Sequence, residues 1–425
     1  MRRTLLLIPH EIASIPVFGF GWTLGLMVLA ALGITAYLIS KRQDAVGFWK
    51  ANALVWLMGA GVVTMLMPGI ELESVTGEPV GMAIRGYGVM LLLGVALSVW
   101  LAVYRGRRYG IPEEIMLGIA PWLLIGGIAG ARLFYVIEYR DRFFTGDAVS
   151  TIRNLLNFTE GGLVVYGSFI GGFLASLFYV VRHKLPFLRM GDAIVPSLFI
   201  GLCIGRIGCL MNGCCYGNAC EPNWSALHFP NASPVYEDQL ATGDLLGLKM
   251  DAARSRVESV VPMSLAARSG IEEGDRITKF GTVRSVEVAD PAKPLEDAPL
   301  GVVAVIDGKE HYWSSSQLPL TANPVAPSQI ISSIGALILS LGLCLFSRFT
   351  VRDGFVMLVG FASYAVLRFV MEMLRNDEPG QFGTELTIAQ WVSIVVLMLS
   401  SGGLLWLSMR QFPEDRSHQA GPAGG

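Results

Sequence analysis

Charged residues are scarce in this sequence, and the scarcity excludes several classes of protein. Only 16% of the 425 residues are Asp, Glu, Lys or Arg, while 52% are hydrophobic. Soluble domains carry nearer a quarter charged residues, and disordered chains carry few hydrophobic ones, so both classes are excluded. The formal net charge is only −2. The excess of basic residues that would indicate a nucleic-acid partner is therefore missing as well.

Histidine is also rare, and the motifs of membrane-embedded proteases are absent from the sequence. There is no His-Glu-x-x-His pattern, which would indicate a zinc protease site. Ser168 lies in an apolar run, but none of the five histidines lies in such a run. A serine and a histidine base cannot then meet within the membrane for nucleophilic catalysis. The sequence therefore argues against an intramembrane protease.

The six cysteines are too few for a disulfide-stapled fold, but three of them cluster after the sixth apolar run. Cys214, Cys215 and Cys220 allow three states. They could remain free thiols, or Cys220 could pair with Cys214 or Cys215 in an oxidising compartment. A metal site is the weakest alternative, because the spacing is not a zinc pattern and His228 is the only histidine nearby.

Long apolar runs dominate the rest of the chain. A bilayer core requires about 20 such residues per helix, and an α-helix satisfies its own backbone hydrogen bonds there. The sequence therefore predicts an all-α polytopic membrane protein with about nine transmembrane helices. The predicted spans are Val17–Ser40, Val46–Met67, Tyr87–Tyr104, Ile115–Ile137, Gly162–Val181, Ala193–Met211, Ile330–Phe346, Gly354–Met373 and Leu386–Leu407.

Basic residues alternate between the loops and predict the orientation of the chain. The loops at residues 41–50, 105–108, 182–189 and 348–352 are basic, whereas the intervening loops are acidic or mixed. The positive-inside rule places the basic loops in the cytoplasm. With nine spans, the N-terminus and the long loop after the sixth span then lie outside, and the C-terminus lies inside. Only Arg2 and Arg3 argue the other way.

A hydrophilic insert separates the sixth and seventh spans and is long enough for one small, β-rich domain. Its residues 257–277 predict a strand, a short helix, a turn and a second strand. The run from Gly270 to Ile277 resembles the PDZ family, and Leu246-Gly247-Leu248 lies where the carboxylate-binding loop of that family would be. The segment Gly243–Leu320 could then bind a peptide terminus by strand addition. The alternative is a degenerate PDZ fold that acts as a spacer.

Four charged residues stand out inside the predicted spans: Arg132, Arg206, Arg368 and Glu372. A charge at the bilayer centre costs at least about 2.5 kcal/mol, so such residues are functional candidates. Arg368 and Glu372 are four residues apart on one helix face and could form a structural ion pair. Arg206 has no carboxylate in its own span. Several arginines in a membrane cavity suit an anionic lipid headgroup, because a planar guanidinium can donate two hydrogen bonds to a phosphate.

Five motifs, in an order and spacing that fit membrane helices, resemble the prolipoprotein diacylglyceryl transferase family. The resemblance runs from about Ile84 to Leu407 and is interrupted by the insert. Its most specific part is residues 205–217, the signature segment, which resembles the family's Gly-Arg-Ile-Gly-Asn-Phe-Ile-Asn-Gly-Glu-Leu-Trp-Gly. The other four motifs are Ile84-Arg85-Gly86-Tyr87-Gly88, Gly130-Ala131-Arg132-Leu133-Phe134-Tyr135, Arg368-Phe369-Val370-Met371-Glu372 followed by Arg375, and Leu386-Thr387-Ile388-Ala389-Gln390.

The chain departs from the family at several positions. Tyr166 stands where the family has a histidine before a glycine. Cys209 and Cys214 replace the first asparagine and the glutamate of the signature segment. The family's His-Pro-Ser-Gln-Leu-Tyr-Glu reads Ala-Pro-Ser-Gln-Ile-Ile-Ser at residues 326–332. The resemblance therefore supports binding of the lipid headgroup more directly than it supports the proton transfer that the family carries out.

The resemblance implies transfer of a diacylglyceryl group from phosphatidylglycerol to the lipobox cysteine of a prolipoprotein, with release of glycerol phosphate. Arg206 and Arg368 would stabilise the leaving phosphate, and Tyr166 would orient the acceptor or relay a proton. No metal or organic cofactor is expected. The alternative is a non-catalytic scaffold that holds partners through the PDZ-like domain on a decayed transferase core. Further residues expected in the substrate site are Tyr87, Arg132, Asn212, Gly217 and Glu372.

The same resemblance divides the chain into five parts. Residues 1–84 form a two-helix membrane extension, and a seven-helix transferase core comprises residues 85–213 and 321–425. Residues 214–242 form a connector, and residues 243–320 form the PDZ-like domain. The expected location is the bacterial inner membrane, with the N-terminus and the insert in the periplasm and the C-terminus in the cytoplasm.

Overall fold

The computed structural model describes residues 4–143, 164–223, 225–251, 253–284, 294–295, 298–350, 352–374 and 383–409, without the side chains of residues 141, 142, 165 and 166. Eight helices within these ranges are long and apolar enough to cross a membrane, which confirms the predicted polytopic fold. The helices are α1 (Trp22–Ser40), α2 (Ala45–Gly61), α3 (Gly86–Arg108), α4 (Glu113–Glu138), α5 (Arg140–Phe143), α6 (Val165–Arg182), α7 (Phe187–Asn212), α8 (Pro234–Ala241), α9 (Leu265–Arg268), α10 (Ser328–Phe346), α11 (Phe355–Met373) and α12 (Ile388–Met409).

Each of the nine predicted spans falls on one of these helices. The second span is α2 continued by a π-helical turn at Val62–Leu66. The fifth span is α6, whose described apolar part is shorter than the other eight spans. Predicted residues before position 164 in this span lie outside the described ranges.

Some helices extend past the predicted spans because helical hydrogen bonding continues beyond the apolar core of the bilayer, whereas α1 begins at Trp22, after the predicted start at Val17. α3 extends from the predicted end at Tyr104 to Arg108, and α7 begins at Phe187 instead of Ala193. The last turn of α3 contains Arg105, Arg107 and Arg108. Basic side chains there interact favourably with the negative end of the helix dipole. Part of the predicted basic loops at residues 41–50, 105–108 and 182–189 is therefore helical, whereas no described residue of the loop at 348–352 is.

The strands are short and lie outside the spans. β1 pairs antiparallel with β5, with Leu7 opposite Ala83, and β5 pairs with β4 on its other edge. Because β5 leads directly into α3, this sheet ties the N-terminus to the start of the third span. The strands are β1 (Thr4–Pro9), β2 (Glu11–Ile12), β3 (Ile15–Pro16), β4 (Leu72–Glu73), β5 (Pro79–Arg85), β6 (Leu248–Met250), β7 (Val257–Val260), β8 (Ile277–Arg284), β9 (Leu300–Ile306) and β10 (Lys309–Trp313).

The chain divides into two compact units. The first comprises Met1–Met90 with Ile207–Gln329, and the second comprises Leu91–Arg206 with Ile330–Gly425. In the second unit α4 and α6 pack backbone to backbone. A side-chain carbon added at Gly130 would overlap the carbonyl oxygen of Gly167, and one at Gly171 would overlap that of Gly126. These glycines therefore allow close helix packing within the membrane.

The insert in the first unit has a hydrophobic core of its own. Tyr236, Leu246 and Val302 are fully buried in it, β8, β9 and β10 form one antiparallel sheet, and β6 pairs with β7. The predicted order of strand, helix, turn and strand is present as β7, α9, a left-handed Gly274 and β8. The core extends from Phe229 to Val325 and so includes residues on both sides of the predicted domain. Its assignment as a PDZ fold stays a prediction.

The two ends of the insert run side by side as an antiparallel stem, formed by residues 217–220 and Leu227 on one side and residues 324–326 on the other. The amide of Gly217 donates to the carbonyl of Ala326 at 3.1 Å, and the amide of Ala326 donates to the carbonyl of Asn218 at 2.9 Å. Farther out, the amide of Cys220 donates to the carbonyl of Pro324 at 3.0 Å. Adjacent ends let a domain be inserted into a fold with little disturbance of its frame.

Candidate active site

Arg206 lies on α7, six residues before its C-terminal end at Asn212. Its side chain is half-buried, and among the described residues no acceptor is within hydrogen-bond reach of its buried Nε. The neighbouring Gly205 faces open space, since an added side-chain carbon would meet no described atom within 4 Å. A buried guanidinium N–H without an acceptor is costly, so this donor is available to an anionic ligand.

Arg368 and Glu372 form the predicted ion pair on α11, with a guanidinium nitrogen 2.6 Å from a carboxylate oxygen. Only 2% of the Glu372 side chain is exposed, against 25% of Arg368. Thr387 donates its hydroxyl to the other carboxylate oxygen at 3.2 Å. Thr387 and Gln390 also cap α12 reciprocally, each accepting a hydrogen bond from the backbone amide of the other. The motif Leu386–Gln390 therefore fixes the carboxylate of Glu372, which pairs with Arg368.

Arg132 is buried near the C-terminal end of α4. Its guanidinium lies over the ring of Tyr135 at 5.4 Å and over that of Phe143 at 5.2 Å. Cation–π contacts of this kind orient a guanidinium without neutralising it. Tyr166 lies in the first turn of α6, where the described ranges include only its backbone.

Tyr87 packs against the signature segment. A side-chain carbon added at Gly208 would lie 3.2 Å from the ring of Tyr87, so the glycine makes room for the tyrosine. α7 then ends at Asn212 because Gly213 adopts a left-handed conformation with φ +78°. The amides of Gly213 and Cys214 both donate to the carbonyl of Cys209, at 2.9 and 3.1 Å. Asn212 therefore stands at a fixed helix end.

Two residues at the start of α10 hold the loop after Gly213, and their role was not predicted. Gln329 donates its side-chain amide to the carbonyl of Cys214 at 2.9 Å, and Ser328 donates its hydroxyl to the carbonyl of Cys215 at 2.8 Å. Both side chains are buried. The signal was present in the sequence, because Pro-Ser-Gln is the part of the family's His-Pro-Ser-Gln motif that this chain retains at residues 327–329.

Three thiols meet in the same loop. The sulfur atoms of Cys209, Cys214 and Cys215 all lie within 4.8 Å of one another, and each side chain is half-buried. The thiol of Cys209 lowers the pKa of Cys214 by hydrogen bonding, but a hydrogen bond with Cys215 and burial outweigh this effect and raise the pKa. Cys220 is not in the cluster, and none of the six cysteines, all of which lie in the described ranges, forms a disulfide.

The loop expected to bind a peptide carboxylate already uses its amides within the insert. The amides of Leu246 and Leu248 donate to the carbonyl of Gly243, at 2.9 and 3.0 Å. That of Gly247 donates to the carbonyl of Asp244 at 3.1 Å. Backbone N–H groups engaged in this way are not free to bind a carboxylate.

The predicted site residues thus fall into two groups. Tyr87, Asn212 and Gly217 belong to the first compact unit, and the buried Gly217 is also the first residue of the stem. In the second unit the three arginines lie on three different helices, α4, α7 and α11. Tyr166 and Glu372 complete that group on α6 and α11.

Similarity to known proteins agrees with these features. A family model described as prolipoprotein diacylglyceryl transferase matches residues 78–406. The phosphatidylglycerol–prolipoprotein diacylglyceryl transferase of Rhodopirellula baltica is 40% identical over 459 aligned residues, which cover 100% of this chain and 92% of the relative. The insert therefore lies within the matched region.

A second relative with the same description matches most of the chain. The phosphatidylglycerol–prolipoprotein diacylglyceryl transferase 2 of Clostridium perfringens is 27% identical over 335 residues, 79% of this chain and 94% of the relative. These matches favour an enzyme over the scaffold alternative. The chain belongs to the prolipoprotein diacylglyceryl transferase family.

Proposed function

We propose that this protein transfers the diacylglyceryl group of phosphatidylglycerol to the lipobox cysteine thiol of prolipoproteins and releases glycerol phosphate. Both substrates are those named for the relatives in Rhodopirellula baltica and Clostridium perfringens. One observation links the proposal to a particular residue. The buried Nε of Arg206 has no acceptor among the described residues and lies in the signature segment.

The chemistry requires a stabilised leaving group and an ionised thiol. The acceptor thiolate attacks the glyceryl carbon that bears the phosphate ester, a C–S bond forms, and the C–O bond to the phosphate breaks with its electron pair on oxygen. Arg206 and Arg368 would stabilise the charge that develops on the departing phosphate. Cations close to the acceptor also lower the pKa of its thiol from about 8.5. Tyr166 is proposed to orient the acceptor or to relay its proton.

The positions of the three arginines along their helices support a shared phosphate site. Arg132 and Arg206 lie six residues before the ends of α4 and α7, and Arg368 lies five before the end of α11. At 1.5 Å per residue, each is roughly 7.5–9 Å from its helix end. If successive spans cross alternately, these three run in the same direction. Their arginines then lie at similar depth below one membrane face.

We propose that this face is the periplasmic face of a bacterial inner membrane. The N-terminus and the insert would lie in the periplasm and the C-terminus in the cytoplasm, as the alternation of basic loops indicates. Reporter fusions after Lys184 and Arg352 should then read cytoplasmic, and fusions after Arg254 should read periplasmic. A cytoplasmic insert would contradict the orientation and remove the route to exported substrates.

For the insert we propose a PDZ-like domain, residues 243–320, that acts as a spacer. The internal hydrogen bonds of Leu246, Gly247 and Leu248 support the spacer over carboxylate capture at this loop. The proposed division keeps residues 1–84 as an extension, 214–242 as a connector, and 85–213 with 321–425 as the transferase core. A peptide ligand would have to bind the insert elsewhere than at these three amides.

Reconstitution tests the function directly. The full chain in phosphatidylglycerol vesicles should add one diacylglyceryl group to a lipobox peptide, seen as a defined mass increase and as release of glycerol phosphate. It should also restore lipidation of a reporter in a transferase-depleted strain. Vesicles of phosphatidylcholine provide the matched control. A folded protein that binds both substrates but gives no product in either assay would favour the scaffold alternative.

A further inference from the structure

The thiol cluster of Cys209, Cys214 and Cys215 is not used by the proposed transfer reaction. Its sulfur atoms lie within 4.8 Å of one another although one is on α7 and two are in the loop that follows. Three metal–sulfur bonds of about 2.3 Å in a trigonal plane would place the sulfurs about 4 Å apart. Bringing the thiols to that spacing therefore requires contraction by less than about 1 Å, a shift that side-chain rotation can supply.

The backbone under the cluster is fixed from several directions. Cys214 donates its amide to the carbonyl of Cys209 at 3.1 Å, which closes the loop on the helix end. Cys215 has a left-handed backbone with φ +56°, a conformation that non-glycine residues adopt at a cost. Gln329 and Ser328 hold the carbonyls of Cys214 and Cys215. The ligand positions are thus set before any ion arrives, which lowers the cost of binding.

A second observation at the cluster points to a ligand. Gln329 is 0% exposed, and its Oε1 has no hydrogen-bond partner among the described residues, although its Nε2 is bonded to the loop. A buried acceptor without a donor costs about 1–3 kcal/mol. Polar residues next to metal ligands commonly fix those ligands through hydrogen bonds, as Gln329 does for the backbone of Cys214.

We propose that Cys209, Cys214 and Cys215 bind one soft metal ion, with monovalent copper as the best match. Thiolates select soft ions, and three of them complete a trigonal site for Cu(I). Structural zinc is almost always four-coordinate, and within the described ranges this group contains no histidine or carboxylate to supply the fourth bond. Each thiol gives up its proton as its sulfur binds the ion. Occupancy would lock the loop between Asn212 and Gly217.

The test is Cu(I) binding by the full-length protein in detergent, kept reduced with a phosphine and titrated against a chromophoric Cu(I) chelator. One copper per chain should be retained, confirmed by elemental analysis. Replacing any one of Cys209, Cys214 or Cys215 by serine should weaken binding at least about 10-fold. The matched controls Cys220→Ser and Cys344→Ser should bind as the wild type does. Circular dichroism and gel filtration confirm that each variant is folded.

Four results would overturn the proposal. The chelator could remove all copper from the wild type, or the three serine variants could bind it as tightly as the wild type. Zn(II) could occupy the three thiols in preference to Cu(I). Mass spectrometry of protein taken directly from membranes could show a disulfide within the cluster. None of these outcomes depends on transferase activity, so the metal site and the proposed function are tested separately.

Discussion

Gln329 holds the backbone of the signature segment through a hydrogen bond of 2.9 Å from its side-chain amide to the carbonyl oxygen of Cys214. The bond links the first turn of α10 to the loop after α7, across 115 positions of the chain. Because this loop begins directly after Asn212, the geometry of that helix end depends on a residue far away in sequence.

Replacing Gln329 by leucine should therefore lower both stability and activity. The carbonyl of Cys214 would lose its donor in a partly buried position, at about 1–3 kcal/mol. Ser340→Ala is the matched control, since it removes a buried 2.8 Å bond to the carbonyl of Pro196 from the same helix. Both variants should melt at lower temperature, but only Gln329→Leu should reduce the transfer rate per folded molecule. Equal rates would place Gln329 outside the active-site framework.

Arg368 and Glu372 should behave as a coupled pair in a double-mutant cycle. Arg368→Gln leaves Glu372 buried without its cation, at about 3–5 kcal/mol. The double variant with Glu372→Gln should be more stable than the sum of the single effects predicts, by about 1–3 kcal/mol. Denaturation of all four proteins measures the coupling. The two variants that lack Arg368 should also lose transfer activity, whereas Glu372→Gln should keep part of it. Additive stabilities would contradict the pairing.

The extent of the insert core predicts that a wide deletion is better tolerated than a narrow one. Removing residues 243–320 leaves Phe229, Tyr236 and Val325 in the chain without most of the core residues that surround them. Removing residues 221–323 takes out most of the core and leaves the stem bond between Cys220 and Pro324, which a short Gly/Ser loop can close. The wide variant should be monodisperse in mild detergent and the narrow one aggregated. Gel filtration distinguishes them, and aggregation of both would show that the insert is integral to the membrane core.

Tyr236 should make the insert sensitive to high pH. Burial raises the pKa of Tyr236 to about 12, and its hydroxyl donates to the carbonyl of Pro319 at 2.8 Å. The unfolded pKa is about 10, so the stabilisation is fully present below pH 10 and is lost between about pH 10 and 12. Two pKa units correspond to about 2–3 kcal/mol. The difference in tyrosinate absorbance between the wild type and the Tyr236→Phe variant should titrate with a midpoint near pH 12. A midpoint near pH 10 would contradict the burial of Tyr236.

The sequence predicted what local patterns determine. Charge-free runs must be buried in lipid, so each of the nine predicted spans falls on a helix. The i, i+4 spacing was enough to predict that Arg368 and Glu372 could pair. Strand β7, helix α9 and strand β8 followed from the glycine turn and the apolar alternation between residues 257 and 277.

Long-range contacts were not predictable in the same way. The pairing of β1 with β5 joins residues about 75 positions apart, and neither strand carries a register signal for the other. The hydrogen bonds from Gln329 and Ser328 to the loop with Cys214 and Cys215 depend on how the intervening chain folds. The sequence grouped Cys220 with Cys214 and Cys215 by spacing, whereas the structure groups Cys209 with them, because the left-handed turn at Gly213 folds the loop back on α7.

The phosphate site is most directly tested by the transfer rate of Arg206 variants per folded molecule. Charge-assisted hydrogen bonds contribute roughly 1.5–3 kcal/mol, so the loss of one from the transition state should slow transfer about 10- to 100-fold. Arg206→Lys keeps the charge but not the planar fork and should show this loss. Arg206→Ala should be slower still and should bind phosphatidylglycerol more weakly. Arg189→Lys on the same helix, at an exposed ion pair with Asp353, is the matched control and should be unchanged. Equal rates in wild type, Arg206→Lys and Arg206→Ala would contradict the account.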